Sequence, residues 1–202
     1  MSGLFFDVED ASARMGLKGP RAAEWLAARG MVTPGAPNTW VWSSTGDRER
    51  LRVARLGQSE FFLESARVGG TSDRDPIGGG AIGALCTALS AHPAGVYPVL
   101  REDFAFSLGG EGVHDALAQV CNVNFAALDL EPQPVIMTLM IGVAVLVVPE
   151  VPSAGPAEAP PAGTEAGRLY RFWCDPTFGP SLSEALRTVI VECGGAMTGV
   201  PV

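Results

Sequence analysis

Apolar residues along this chain switch repeatedly between helical and strand spacing, and the switches set out an order of elements. In "MGLKGPRAAEWLAARG" (Met15 to Gly30) a strand end meets a glycine turn and then a short helix, with Pro20 suited to the first helical position and Gly30 to the stop. The same features return in "FSLGGEGVHDALAQVC" (Phe106 to Cys121), where Val113, Ala116, Leu117 and Val120 make an apolar stripe. The two stretches align without gaps, matching Leu17 to Leu108, Gly19 to Gly110, Leu26 to Leu117 and Ala27 to Ala118. Each copy leads into β-rich sequence. "NTWVW", "RVARL" and "EFFLE" follow the first, with Gly57 in a short hairpin turn. "VIMTLM" and "VAVLVV" follow the second and turn at Gly142, and "RLYRFW" supplies a further strand.

Between the copies, Ile82, Leu85, Cys86 and Leu89 fall at i, i+3, i+4 and i+7, which predicts a core helix from about Ala81 to Ala91, ended by Pro93 and Gly95. A last helix is expected from Ser181, with Glu184 completing a capping box. The stretch from Pro149 to Gly167 is rich in Pro, Ala, Gly and Glu and is expected to form a mobile surface loop, the first place a protease would cut. The fold class that follows is α+β in a single domain of 202 residues. It comprises two strand-helix-strand-strand halves, residues 1–75 and 95–202, bridged by the central helix. A doubly wound sheet would need strands and helices alternating throughout.

Composition narrows the function classes. Apolar residues make up 47% of the chain, enough for a sizeable core. The 14 basic residues against 22 acidic ones give a net charge of −8, which speaks against nucleic acid or an anionic membrane as partner. The charge is uneven: residues 1–74 hold 10 basic and 9 acidic groups (+1), leaving 4 and 13 (−9) for the rest. A partner surface or plain solvated faces would each produce that asymmetry. The opening "MSGLFFDVED" lacks a basic region leading into an apolar core, so no secretory signal is read there. The longest apolar run, Val135 to Val148, is shorter than the roughly 20 residues a spanning helix needs. Cys86, Cys121, Cys174 and Cys193 show neither C-x-x-C pairing nor zinc-ligand spacing, and are expected to be reduced, mostly buried thiols of a cytoplasmic protein.

Candidate chemistry is sparse. Gly78, Gly80 and Gly83 match G-x-G-x-x-G, and Glu102 and Asp103 lie about 20 residues on, yet "GGTSDRDP" stands where a buried strand should feed the glycines. The segment therefore reads as a glycine loop entering a core helix, and neither NAD nor flavin is expected in this chain. His114 and Cys121 share a helix at i, i+7, separated by roughly 10 Å along the axis, too far for a nucleophile and its base. His114 reads as an ordinary helix-surface residue, and His92 as a residue at a helix end. Glu102 and Asp103 are adjacent, so on a strand they would face opposite ways, and Asp175 beside Pro176 reads as a turn former. No catalytic, cofactor-binding or metal-ligating residue is assigned. The tryptophans Trp40 and Trp42, with Arg55 and Glu60 flanking the "LGQS" turn, are either core and solvated charge or a partner-facing patch, since Trp and Arg are over-represented among interface hot spots.

The chain also carries a family resemblance. "GLFFDVEDASARMGLKGPRAAEWL" resembles the opening of the folate-binding aminomethyltransferase fold of glycine-cleavage T-protein, and "RLGQSEFFLE" resembles the strand-turn-strand that follows it. "FSLGGEGVHDALAQVCNVNF" and "RFWCDPTFGPSLSEAL" look most like the gamma subunit of heterotetrameric sarcosine oxidase and the equivalent small subunit of N-methylglutamate dehydrogenase. The likeness covers nearly the whole chain outside the Pro-rich segment. The "KGCYxGQ" signature of the related iron-sulfur-assembly folate proteins is absent, with "VCNVNF" standing roughly in its place, and no folate-binding or catalytic residue carries over. The resemblance implies a noncatalytic, gamma-like subunit of a heteromeric oxidoreductase of one-carbon metabolism that oxidises the N-methyl group of an amino acid such as sarcosine or N-methylglutamate. Its partners would be flavoprotein alpha- and beta-type subunits and a small delta-type subunit, which would hold FAD, FMN, NAD, folate and zinc. The alternative is a free-standing folate-binding or one-carbon transfer protein.

Overall fold

A computed structural model of the chain describes residues 3–8, 12–44, 50–65, 80–150 and 168–198. Within them, eleven strands and four helices form an α+β arrangement with two largely antiparallel sheets. The chain divides into two compact units, one of residues 11–102 with 132–135, the other of residues 1–10, 103–131 and 136–202.

The second unit contains β1 (Phe5–Val8), β7 (Phe104–Gly109), β8 (Ile136–Met140), β9 (Val143–Glu150), β10 (Leu169–Cys174) and β11 (Ala196–Thr198), with helices α3 (Val113–Val120) and α4 (Gly179–Glu192). Its strands lie in the order β11-β1-β7-β10-β9-β8, and only β1 and β11 run parallel. The β-branched and aromatic residues of β7, β9 and β10 send Phe106, Leu108, Val145, Val147, Tyr170 and Phe172 into one core with Leu117 of α3 and Leu186 and Ile190 of α4. Phe106 and Phe172 stack at 4.8 Å across the β7–β10 register.

The first unit contains β2 (Arg14–Lys18), β3 (Thr39–Ser44), β4 (Arg50–Arg55), β5 (Glu60–Ser65) and β6 (Tyr97–Val99), with α1 (Ala22–Ala27) and α2 (Gly80–Leu89). Its order is β3-β4-β5-β2-β6, antiparallel throughout. Met15, Leu17, Leu51, Val53, Phe61 and Leu63 form the helix-facing side of the sheet. Ile82, Leu85 and Leu89 of α2 pack into that same core, so the helix between the two sequence copies is a core member of this unit. Cys86, expected on its apolar face, is exposed.

The sequence repeat coincides with a shared turn. Gly19 and Gly110 adopt φ of +133° and +93°, and a Cβ on either would collide with a backbone carbonyl, of Gly95 and of Gly3 respectively. Each donates its N–H to the start of the neighbouring strand region, Gly19 to Ser59 O at 2.9 Å and Gly110 to Arg168 O at 3.1 Å. Each carbonyl then accepts the first helical N–H, from Ala22 and from Val113.

Several boundaries differ from the sequence expectation. α1 begins at Ala22, so Pro20 lies in the turn ahead of it, and it closes at Ala27, ahead of the expected stop at Gly30, whose φ of +75° lies in the turn that follows. α4 begins at Gly179, because a 3-10 turn (Pro176–Phe178) runs directly into it. There is consequently no capping box: Ser181 Oγ donates to Phe178 O at 3.0 Å and Glu184 lies 3.5 Å from Arg187. Residues 151–167 of the Pro-rich segment, and Gly78 and Gly79 of the glycine motif, lie outside the described residues. Among the described residues no helix is long and apolar enough to cross a membrane.

Candidate functional site

Strand alternation gives the five-stranded sheet a second, unusually polar interior face. While Leu51, Val53, Phe61 and Leu63 point toward the helices, the intervening residues point the other way, and register lines them up in rows. Trp42, Arg52, Glu64 and Arg14 form one row across β3, β4, β5 and β2, and Trp40, Ala54, Phe62, Gly16 and Val99 form the next. This face is also buried: Glu64 and Phe62 are fully inaccessible, Arg52 is 3% exposed and Trp40 4% exposed.

At the centre of the first row Glu64 accepts from Arg14 Nε on one carboxylate oxygen at 2.7 Å and from Arg52 Nη1 on the other at 2.6 Å. Charge-assisted bonds of that length compensate the desolvation of all three groups only while the set is intact. Both carboxylate oxygens are engaged, so Glu64 fixes strand register and is not poised to take a proton from a substrate. The Arg52 guanidinium also lies 4.9 Å from the Trp42 ring and 5.3 Å from the Trp40 ring, and Arg50 covers Trp42 at 4.5 Å. The indole Nε1 of Trp40 is buried without an acceptor among the described residues.

The structure thus brings together two of the four residues singled out from the sequence and separates the others. Trp40 and Trp42 meet edge to face at 5.4 Å and 88°. Trp40 is core, whereas Trp42 is half-buried. Arg55 ties two loops, donating Nη1 to Gly35 O at 2.9 Å and Nη2 to Gln58 O at 2.7 Å. Glu60 pairs with Arg101 at 3.0 Å. The Arg14–Glu64–Arg52 set was not singled out from the sequence, although its signal is visible: charges alternating with Leu51, Val53 and Leu63 inside strands too apolar to be two-sidedly solvated.

A smaller polar cluster sits in the other unit. His114 is half-buried and its Nε2 lies 2.7 Å from Tyr170 Oη, the rings meeting edge to face at 5.8 Å. This corrects the reading of His114 as an ordinary surface residue: Tyr170 of β10 is only 1% exposed, and its buried hydroxyl needs a polar partner. Cys121 meets Thr138 Oγ1 at 3.7 Å. Burial, then the carboxylates of Asp103 and Asp175, push the Cys174 thiol up to about 11, which keeps it protonated and unreactive. The Cys86 thiol, though exposed, is raised more modestly, by partial desolvation. Asp175 accepts from Thr177 Oγ1 at 2.6 Å and from Thr177 N–H at 2.9 Å, bonds that hold its carboxyl below the usual range and make it the turn former expected. Glu102 and Asp103 stand in the connection between β6 and β7. Of the four cysteines, all free, two are buried. Among the described residues no group of three or more His, Cys, Asp and Glu is arranged to hold a metal ion.

No family model and no curated protein sequence matches this chain. Solved structures do. The chain is similar to the glycine cleavage system aminomethyltransferase T of Bartonella henselae, at TM-score 0.56 and 12% identity over 98% of this chain. It spans 48% of that protein, about half its length. It is also similar to a chain of the heterotetrameric sarcosine oxidase of Corynebacterium sp. U-96, solved with pyrrole 2-carboxylate, at TM-score 0.61 and 19% identity over 96% of this chain and 87% of that one. Identities this low establish a shared fold, the aminomethyltransferase-like α+β fold that the sequence resemblance implied.

Proposed function

We propose that this chain is the noncatalytic, gamma-like small subunit of a heteromeric flavin-dependent oxidoreductase that acts on an N-methyl amino acid such as sarcosine or N-methylglutamate. One observation carries the reading: the fold is matched over nearly the full length of both partners in the heterotetrameric sarcosine oxidase comparison, 96% and 87%. The fate of the polar residues supports it. Glu64 has both oxygens committed to arginines, Cys174 is held as a thiol, and Asp175 is spent on a turn. In this reading the flavins, NAD, folate and zinc belong to alpha-, beta- and delta-type partner subunits in the cytoplasm. Of the four residues read as a partner-facing patch, Trp42 is the best placed to serve, since Trp40 is buried.

The alternative, a free-standing folate-binding or one-carbon transfer protein, is favoured by the match to aminomethyltransferase T over 98% of this chain. Two measurements decide between them. Co-expression with the flavin-bearing alpha- and beta-type subunits of such an oxidoreductase should give a single complex, and titration of the isolated chain with tetrahydrofolate should show no binding. A monomer that joins none of those subunits and binds tetrahydrofolate tightly would replace the subunit reading with the one-carbon one.

A further inference from the structure

The outer strand of the six-stranded sheet departs from what folding alone would select. β8 is an edge strand, and its alternation sends Met140 into the core while Met137 and Leu139 point to the opposite side. Those two are 55% and 60% exposed, and Ile141 at the tip of the β8–β9 hairpin is 45% exposed. Across the register stand Leu146, half-buried opposite Met137, and exposed Ala144 opposite Leu139. The result is a contiguous apolar surface, of the kind that marks an interaction site.

Ile141 supplies an independent observation. It and Gly142 form the two-residue loop between paired Met140 and Val143, with φ of +49° and +80°. Positive φ at both loop positions defines a type I′ turn, for which Asn-Gly or Asp-Gly is strongly preferred. A β-branched residue there is a genuine outlier. The tip is fastened by Ile141 N–H donating to Val120 O at 3.0 Å, which helps hold the strained conformation. Asn at this position would improve both the turn and the solubility of an exposed tip. An exposed, strained isoleucine beside Met137 and Leu139 therefore points to a requirement outside the free chain.

Charge indicates what covers the surface. The described residues of this unit hold three arginines and ten carboxylates, −7 with His114 neutral, whereas those of the other unit hold eight basic and four acidic groups, +4. A second copy meeting this face with its own would bring two strongly acidic bodies together. A head-to-tail contact with the basic unit of another copy would be heterologous, so it would build rings or open filaments of this chain in place of a two-fold dimer.

We propose that the β8–β9 face, centred on Met137, Leu139 and Ile141, is the docking surface for a different subunit that presents apolar side chains inside a basic rim. The inference rests on the subunit reading above and names the surface by which the chain would join its complex. The test uses the full chain co-expressed with the flavin-bearing alpha- and beta-type subunits of such an oxidoreductase. Leu139→Lys should leave the melting temperature of the free chain unchanged and weaken assembly at least about tenfold, as loss of an interface anchor does. Leu139→Glu should weaken it less, because the new charge suits a basic rim. Ile141→Asn separates docking from folding, since it should raise the melting temperature by about 2–4 °C by relieving the turn while loosening the complex. Wild-type assembly of Leu139→Lys would overturn the surface and leave the subunit reading standing. Failure of the wild-type chain to join any such complex would overturn both. A Leu139→Glu variant as weak as Leu139→Lys would overturn the basic rim, and self-association abolished by Leu139→Lys would make the occupant a second copy.

Discussion

Replacing Glu64 by alanine tests whether the polar row is a structural clamp. The carboxylate is fully buried and balances Arg14 and Arg52, whose side chains are 9% and 3% exposed. Its removal takes a short charge-assisted bond from each of two guanidinium groups in a desolvated layer. Breaking a buried ion pair on one side costs about 3–5 kcal/mol, and at about 2–4 °C per kcal/mol for a chain of this size the melting temperature should fall by roughly 6–20 °C. Glu64→Gln keeps the volume but offers two amide hydrogens to arginine donors, so it should recover little. Glu24 provides the control: it lies 3.6 Å from Arg21 with side chains 76% and 66% exposed, and Glu24→Ala should move stability by no more than about 0.5 kcal/mol. Urea unfolding followed by tryptophan fluorescence reads the effect, since Trp40 and Trp42 flank Arg52. The triple replacement Arg14→Met, Glu64→Leu, Arg52→Met should return to within about 1 kcal/mol of wild type or exceed it, because well-packed apolar residues often match a buried ion network. A loss below about 1 kcal/mol for Glu64→Ala, or one no larger than for Glu24→Ala, would refute the clamp.

Gly110→Ala should destabilise the chain by more than about 1 kcal/mol, since the position combines φ of +93° with a Cβ site already filled by the Gly3 carbonyl; Gly57→Ala, where the Cβ would meet open space, is the control in thermal melts. Alkaline stability should carry the signature of Cys174. Its native pKa of about 11 lies above the ordinary 9.0, so the native state holds the proton more tightly, and the stability this contributes is complete below pH 9 and lost as pH rises toward 11. The difference in denaturation midpoint between wild type and Cys174→Ala should change over that interval and be flat from pH 6 to about 8; a flat difference throughout would refute it.

The legible parts of this fold are those where one period dominated. The stripe Val113, Ala116, Leu117 and Val120 is buried in full, and the hairpins turning at Gly57 and Gly142 form where turn residues interrupt alternating strands. The polar row was not read, because Arg14, Arg52 and Glu64 look like the solvated side of two-faced strands, and only the second buried face makes them interior. Trp40 and Arg55 illustrate the same limit: residue type leaves each open between core or solvated charge and a partner-facing patch, because whether an indole is buried or a guanidinium is spent on loop carbonyls depends on tertiary neighbours. The Ser181–Glu184 spacing misled because a preceding 3-10 turn satisfies the first helical groups before Ser181 is reached. His114 looked superficial because the hydroxyl that engages it, on Tyr170, lies 56 residues away.

The place of β1 in its sheet bears on how the chain comes to be folded. Phe5 to Asp7 pair with Ala196 to Thr198 on one side, and Phe5 to Val8 pair with Phe106 to Gly109 on the other. A strand that leaves the ribosome early is thus flanked by two strands made roughly a hundred and nearly two hundred residues later. Residues 11–102 hold every strand and helix of the five-stranded unit, so that unit can assemble during synthesis while β1 waits with both edges open. Loop-closure entropy makes such distant pairings slow. The interval before β7 and β11 arrive is when the apolar side chains Leu4 and Phe6 are available to the wrong neighbour, and chaperone demand should concentrate on β1.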